Sequence, residues 1–169
     1  MKIPFYFAFA YISLFLSSCI YKNNDSRLGD LRTIYIEVVQ NNSLAPQIGP
    51  LLNNKIRAHI IQRSHFRLTS EIRDSDLILR ISLKNYRQSP EIYNPQDTLL
   101  AAGFNLSIGA QISLTNRRGK AFIEDVVLTD NASVLRNGSF SVPSDRQALL
   151  SLSESLGQQI SQLIENYRW

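Results

Sequence analysis

The sequence predicts an α+β fold: a two-layer sandwich in which two helices pack on one face of a mixed four-stranded sheet, in the order β-α-β-β-β-α. Three observations predict it. From Ala102 to Leu114 apolar side chains alternate without interruption with small or polar ones, the period of a strand that buries one face. Two other stretches, around Leu51 to Ile61 and Leu149 to Tyr167, repeat apolar residues every three or four positions, the period of a helix with one buried stripe. The first helical stretch lies between strand-like runs, a connection that sets its flanking strands parallel, whereas the later runs are joined by hairpins and should be antiparallel.

Thr33 to Val39, TIYIEVV, opens the domain as strand one: Ile34, Ile36 and Val38 share one face, and the β-branched content suits a pleated surface. Gln40-Asn41-Asn42-Ser43 is turn-forming, and Pro46 or Pro50 can occupy the first turn of the following helix, where a missing N–H costs little. Leu51, Leu52, Ile56, Ile60 and Ile61 then mark a helix ending near Ser64. Phe66 to Thr69 reads as a short edge strand, after which Asp74-Ser75-Asp76 punctuates the chain. Leu77, Leu79, Ile81 and Leu83 alternate with Ile78, Arg80, Ser82 and Lys84, a strand with an oily face and a mostly polar, cationic one.

Arg87 to Thr98, RQSPEIYNPQDT, reads as a Pro-containing loop projecting from the sheet before the long Ala102–Leu114 strand. Asn116-Arg117-Arg118-Gly119 predicts a tight hairpin, and Phe122 to Thr129 the returning strand. Its faces are ambiguous, because Ile123 and Val127 oppose Phe122, Val126 and Leu128 in strict alternation. Ser144 and Gln147 match a capping box that would open the last helix, along which Leu149, Leu152, Leu156, Ile160, Leu163 and Tyr167 form the core stripe. The uncovered sheet face would carry Arg80, Lys84, Asn105, Ser107, Gln111 and Ser113.

The 169 residues are 44% hydrophobic and 19% charged, which suits one globular domain. A formal charge of +4, with the basic residues scattered, gives no arm for nucleic acid. Met1 and Lys2, the apolar run Ile3 to Leu16 and the small pair Ser17-Ser18 read as an export signal over residues 1–18, too short for a membrane span. Leu16-Ser17-Ser18-Cys19 resembles the bacterial lipobox, whose cysteine thiol receives diacylglycerol. Cys19 is the only cysteine, so a disulfide within one chain is excluded; an uncleaved anchor with an incidental cysteine is the competing reading. Residues 19–30 would then be a lipidated N-terminus and polar tether, and residues 31–169 one domain. Removing the signal takes away only Lys2, so 17 Lys and Arg against 14 acids leave +3.

Catalytic patterns are missing from the sequence. His59 and His65, six apart around a helix end, do not face one metal together; both are expected at the surface, and no metal site or cofactor is expected. There is no GxSxG elbow, the seven glycines form no phosphate loop, and Glu124 and Asp125, adjacent on a strand, point to opposite faces. What remains is a surface: Arg80 and Lys84 on one strand face with Arg87 just beyond, guanidinium and ammonium groups suited to phosphate, against the plainer reading of a solvated sheet face.

The lipobox cysteine, the polar tether, Val39-Gln40-Asn41-Asn42-Ser43 leading into a helix, the long alternating strands and the final helix together resemble the LptE family of lipopolysaccharide-assembly lipoproteins. The resemblance implies a non-enzymatic protein anchored at the periplasmic face of the outer membrane, with Ile20 rather than an acid after Cys19 favouring outer-membrane sorting. It further implies a plug for an LptD-type β-barrel that helps the barrel assemble and binds lipopolysaccharide in transit. Better-studied members carry a basic residue before an Asn-Gly turn between central strands and a lysine before the last helix. Here Tyr93-Asn94-Pro95 and Val142-Pro143 occupy those places, so the candidate lipopolysaccharide ligands are Arg80, Lys84 and Arg87. The rival expectation is a lipoprotein that docks to and activates a peptidoglycan synthase. About ten polar residues between Cys19 and Leu31 reach at most roughly 36 Å, which favours a partner near the membrane.

Overall fold

The structure, a computed structural model, describes residues 32–63, 65–94, 97–135 and 142–167. The expected signal, Cys19 and the tether lie outside these residues. The elements are β1 (Arg32–Ile36), β2 (Gln40–Asn41), α1 (Ile48–Arg63), β3 (Phe66–Thr69), a 3-10 turn (Ile72–Asp74), β4 (Leu77–Asn94), β5 (Asp97–Asn116), β6 (Ala121–Leu135) and α2 (Val142–Glu165). One mixed sheet of six strands, not four, runs β3-β1-β4-β5-β6, with β2 pairing beside β4. β1 pairs parallel with both β3 and β4, and β4-β5-β6 form an antiparallel meander.

The strands are extra, and the order differs, for local reasons. β2 has two residues, too few to display a period. β3 pairs with β1 at the sheet edge, as its composition suggests, but it is a full member of the sheet. Strand one does not run on to Val39: Val38 is exposed while Val39 is buried, so the chain turns over between Ile36 and Gln40. Arg57 Nη2 reaches from α1 to the Ile36 carbonyl at 3.0 Å, satisfying an acceptor where pairing changes.

β3 and β4 run the same way on opposite sides of β1, joined only by residues 70–76. This short return suffices because β3 is four residues, roughly 13 Å, long. The link passes the start of β1, where Asp76 N donates to Thr33 Oγ1 at 2.9 Å and Thr33 N donates to Asp76 Oδ2 at 2.9 Å. The backbone and side-chain hydrogen bonds from Thr33 hold the Asp76 carboxyl below its ordinary pKa, aided by Arg117 and Arg32 nearby.

The core lies between the sheet and both helices. Ile34, Ile36, Leu79, Leu83, Leu106, Ile108 and Ile112 from the sheet meet Leu52, Ile56, Leu156 and Ile160 from the helices, each at most 1% exposed. Two corrections concern the helices. α2 begins at Val142, ahead of Ser144, so Ser144 is not its cap; Pro143 in the first turn gives up no intrahelical hydrogen bond. His59 is buried at 8% exposure rather than at the surface, because it lies on α1 where α2 crosses. Its Nε2 stands 3.0 Å from Glu154 Oε1, an ion-pair distance out of hydrogen-bond alignment. Lys55 Nζ approaches Glu154 Oε2 at 2.6 Å, and this hydrogen bond is the main cause that lowers the Glu154 pKa.

The 87–98 segment is not a loop. β4 continues to Asn94 and β5 starts at Asp97, so the meander extends well past the short parallel strands. Two bulges shape it. Asn85, at φ 56°, adds a residue to β4 between the Lys84–Gly109 and Arg87–Ser107 pairs; Asp125, at φ 49°, does so on β6 between the Ile123–Leu114 and Val126–Ile112 pairs. The second bulge settles the ambiguous faces of β6, since Ile123, Val126 and Leu128 now share the helix side.

Candidate functional site

The sheet face turned away from the helices is built from the alternate positions of the core strands. Leu79, Ile81 and Leu83 point inward, which sends Arg80, Ser82 and Lys84 outward; Ile112 and Leu114 do the same for Gln111 and Ser113. Cross-strand pairing sets Arg80 opposite Ser113, Ser82 opposite Gln111 and Lys84 opposite Gly109. The turn-over after β1 adds Glu37, Val38, Gln40 and Asn42 along the other side, enclosing a shallow groove of about 290 Å³.

Polar groups in this groove are mutually satisfied. Arg80 Nε donates to Glu37 Oε2 at 2.9 Å, with the arginine side chain half exposed. Asn42 Nδ2 donates to Ser82 Oγ at 2.9 Å, Lys84 Nζ to Gln111 Oε1, and Ser113 Oγ to Asp125 Oδ1 at 3.0 Å. Two carboxylates thus balance two cations, and the groove is close to neutral. An anion would have to displace Glu37 from Arg80, which is inexpensive, because solvent-exposed ion pairs contribute only about 0–1 kcal/mol.

Arg87 joins the same face through the Asn85 bulge. In unbroken alternation from Arg80, the odd-numbered Arg87 would fall on the helix side; the extra residue moves it opposite Ser107 on the outer face and turns Tyr86 toward the core. Arg80, Lys84 and Arg87 therefore form a row. Their pairing partners Ser113, Gly109 and Ser107 place Lys84 about 13 Å and Arg87 about 20 Å along the strand from Arg80. Such a row cannot close on one phosphate, but it can meet an extended surface bearing several polar or anionic groups.

Glu37 and Asn85 escaped the sequence reading, and Asp125 was singled out only as half of an acidic pair that could not act together. The signals for the two bulges were nevertheless present: Leu83 to Tyr86 and Ile123 to Val126 are apolar spacings of three inside period-two strands. Asn and Asp are the residue types that tolerate positive φ at a bulge. Among the described residues no group of His, Cys, Asp and Glu could hold a metal ion, and no helix is long and apolar enough to cross a membrane.

Comparison with known proteins places this architecture. No curated protein matches by sequence. The fold is similar to that of three solved structures. They are the uncharacterized lipoprotein B from Nitrosomonas europaea (11% identity, 80% of this chain and 83% of that one, TM-score 0.54), a putative lipoprotein from Caulobacter crescentus (10%, 77% and 89%, TM-score 0.51) and the hypothetical protein CT253 from Chlamydia trachomatis (8%, 81% and 97%, TM-score 0.53). The model of the LptE family, described as lipopolysaccharide-assembly, matches residues 31–165, nearly the whole domain. The chain belongs to the LptE family of lipopolysaccharide-assembly proteins.

Proposed function

We propose that this protein is an outer-membrane lipoprotein, processed after residue 18 and acylated on Cys19, whose domain plugs an LptD-type β-barrel from the periplasmic side. There it helps the barrel assemble and assists lipopolysaccharide on its way to the cell surface, without catalysing a reaction. Family membership supports the assembly role. The single observation that carries the plug is the uncovered, mutually hydrogen-bonded and nearly neutral sheet face from Glu37 to Asp125. Barrel interiors are polar and wet, alternating polar-in along their strands. A face rich in paired donors and acceptors can exchange its water for such a wall without stranding a buried charge. Arg80, Lys84 and Arg87, spaced along it, are the proposed contacts for lipopolysaccharide phosphates.

Capture of the protein from detergent-solubilised outer membrane tests this reading. Recovery of a large β-barrel is the expected result; recovery of a peptidoglycan synthase in its place would favour a regulatory role and overturn the plug. The anchor is tested separately. Cys19→Ala should abolish metabolic lipid labelling and release the chain from membranes, and persistent labelling would refute acylation at Cys19.

A further inference from the structure

The end of the domain at which the chain enters β1 carries a second cationic surface, distinct from the Arg80–Arg87 row. β1 begins at Arg32, opposite Phe66; Phe66 follows closely on Arg63, the last residue of α1. Leu77 at the start of β4 pairs with Asn116 at the end of β5, so the β5–β6 hairpin tip with Arg117, Arg118 and Lys120 lies at this same end. Arg117 Nη1 donates to the Arg73 carbonyl in the 3-10 turn. Arg117 and Arg32 both act on the Asp76 carboxylate, and Lys120 Nζ sits 5.7 Å from the Phe122 ring centroid. Sequence-remote segments thus bring Arg32, Arg63, Arg73, Arg117, Arg118 and Lys120 to one end, all exposed.

Among the described residues the acids at this end are fewer and partly committed. Asp76 accepts from Thr33, Glu165 Oε1 accepts from Ser161 Oγ back along α2, and Glu71 and Asp74 lie in the link between β3 and β4. The hairpin is held rigidly. Gly119, at φ 83°, closes the turn with its N–H on the Asn116 carbonyl, and Asn116 Oδ1 accepts from both Arg118 N and Lys120 N. Its charges are therefore presented on a fixed scaffold, with little ordering cost on binding.

We propose that this hairpin end docks on a bilayer surface bearing anionic phospholipid. This docking rests on the acylation of Cys19 proposed above: a chain that enters at Arg32 cannot be more than about 45 Å from a lipidated residue 19, so this end stays within reach of the headgroups. Within a Debye length of an anionic leaflet each basic side chain adds to the attachment that the lipid anchor supplies. The surface would set the orientation of the domain, pointing the far end of the meander away from the bilayer.

The test uses the chain from residue 19 onward carrying Cys19→Ser, so that no acyl chain contributes, and vesicles of phosphatidylcholine with or without 30% phosphatidylglycerol. The expected result is sedimentation with the anionic vesicles only, weakened by high salt. The variant Arg117→Gln/Arg118→Gln/Lys120→Gln should bind on the order of a hundredfold more weakly, since each of the three charges near an anionic surface is worth about fivefold. Arg80→Gln/Lys84→Gln/Arg87→Gln and the charge-keeping Arg117→Lys/Arg118→Lys should both bind as the parent does. Equal binding to neutral vesicles, no binding at all, undiminished binding by the hairpin variant, or loss in the charge-keeping variant would each overturn the proposal. Barrel capture by the acylated hairpin variant is expected to persist, so the vesicle result and the plug reading fail or stand independently.

Discussion

Glu37 Oε2 accepts a hydrogen bond from Arg80 Nε at 2.9 Å, so one of the three cations in the outer row is already engaged by a carboxylate supplied from the turn-over after β1. Any phosphate that reaches Arg80 competes with Glu37. Replacing Glu37 by Gln removes the competitor while keeping a side chain of the same size. Glu37→Gln should therefore raise affinity for a phosphorylated glycolipid about two- to fivefold, as expected for release of an exposed pair. Arg80→Gln/Lys84→Gln/Arg87→Gln should lower it on the order of tenfold or more. Titration by calorimetry checks both, and unchanged affinity in the triple variant would reject these residues as the site while leaving barrel binding untouched.

Asp76 provides a pH prediction. Its folded pKa lies below the usual carboxylate value, chiefly because Thr33 donates to it from the backbone and then from the side chain. A depressed pKa contributes stability that is present above the unfolded value, near 3.8, and is lost as pH falls through the folded one. Unfolding free energies from urea titrations between pH 6 and pH 2.5 should show wild type exceeding Asp76→Asn by about 1 kcal/mol at the upper end, allowing for solvent exposure. The gap should shrink below pH 4. A constant difference across that range would remove the charge from the explanation.

The bulge at Asn85 places Arg87 outside and Tyr86 inside. Asn85→Gly should be tolerated, since glycine adopts φ 56° freely, whereas Asn85→Val should cost about 1–2 kcal/mol by forcing a β-branched residue into the left-handed region. Insertion of one further residue after Asn85 should be worse, because every residue beyond it would exchange faces, whereas deletion of Asn85 removes the bulge and keeps Tyr86 inside and Arg87 outside. Limited proteolysis of the 86–107 hairpin checks the series: the insertion should be cleaved first and the glycine variant no faster than the parent.

Gly157 sets the approach of the two helices. A Cβ there would lie 3.0 Å from Lys55 Cβ and 3.4 Å from Ile56 N, contacts that a rotamer change cannot relieve. Gly157→Leu should cost about 2–3 kcal/mol despite better helix propensity, as overpacking outweighs the roughly 1 kcal/mol that leaving glycine gains. Denaturation of this variant at pH 7 gives the number directly.

Much of this protein is legible along the chain because burial imposes a period. The apolar stripe of α2, the long alternation of β5 and the hairpin at Asn116–Gly119 each arise from neighbours a few residues apart, and each stands where the residues foretell. The lipobox and the VQNNS passage, read with the element order, lead to the same family that matches residues 31–165. Those signals are local, and local chemistry survives in one dimension.

Only the tertiary structure decided which strands adjoin and which side chains meet. β1 lies between β3 and β4 although β3 and β4 are consecutive, and nothing in the local period of any of them encodes that arrangement. Single-residue bulges at Asn85 and Asp125 reverse the parity of whole strands, so Arg87 changes face for a backbone reason a strict alternation cannot register. Glu37 finds Arg80 from 43 residues away, and the hairpin's Arg117 comes to lie against Arg73 and, with Arg32, near Asp76. The physical reason is the same in each case: the side-chain period is set by adjacent backbone geometry, whereas partners across a sheet are chosen by the packing of the whole core.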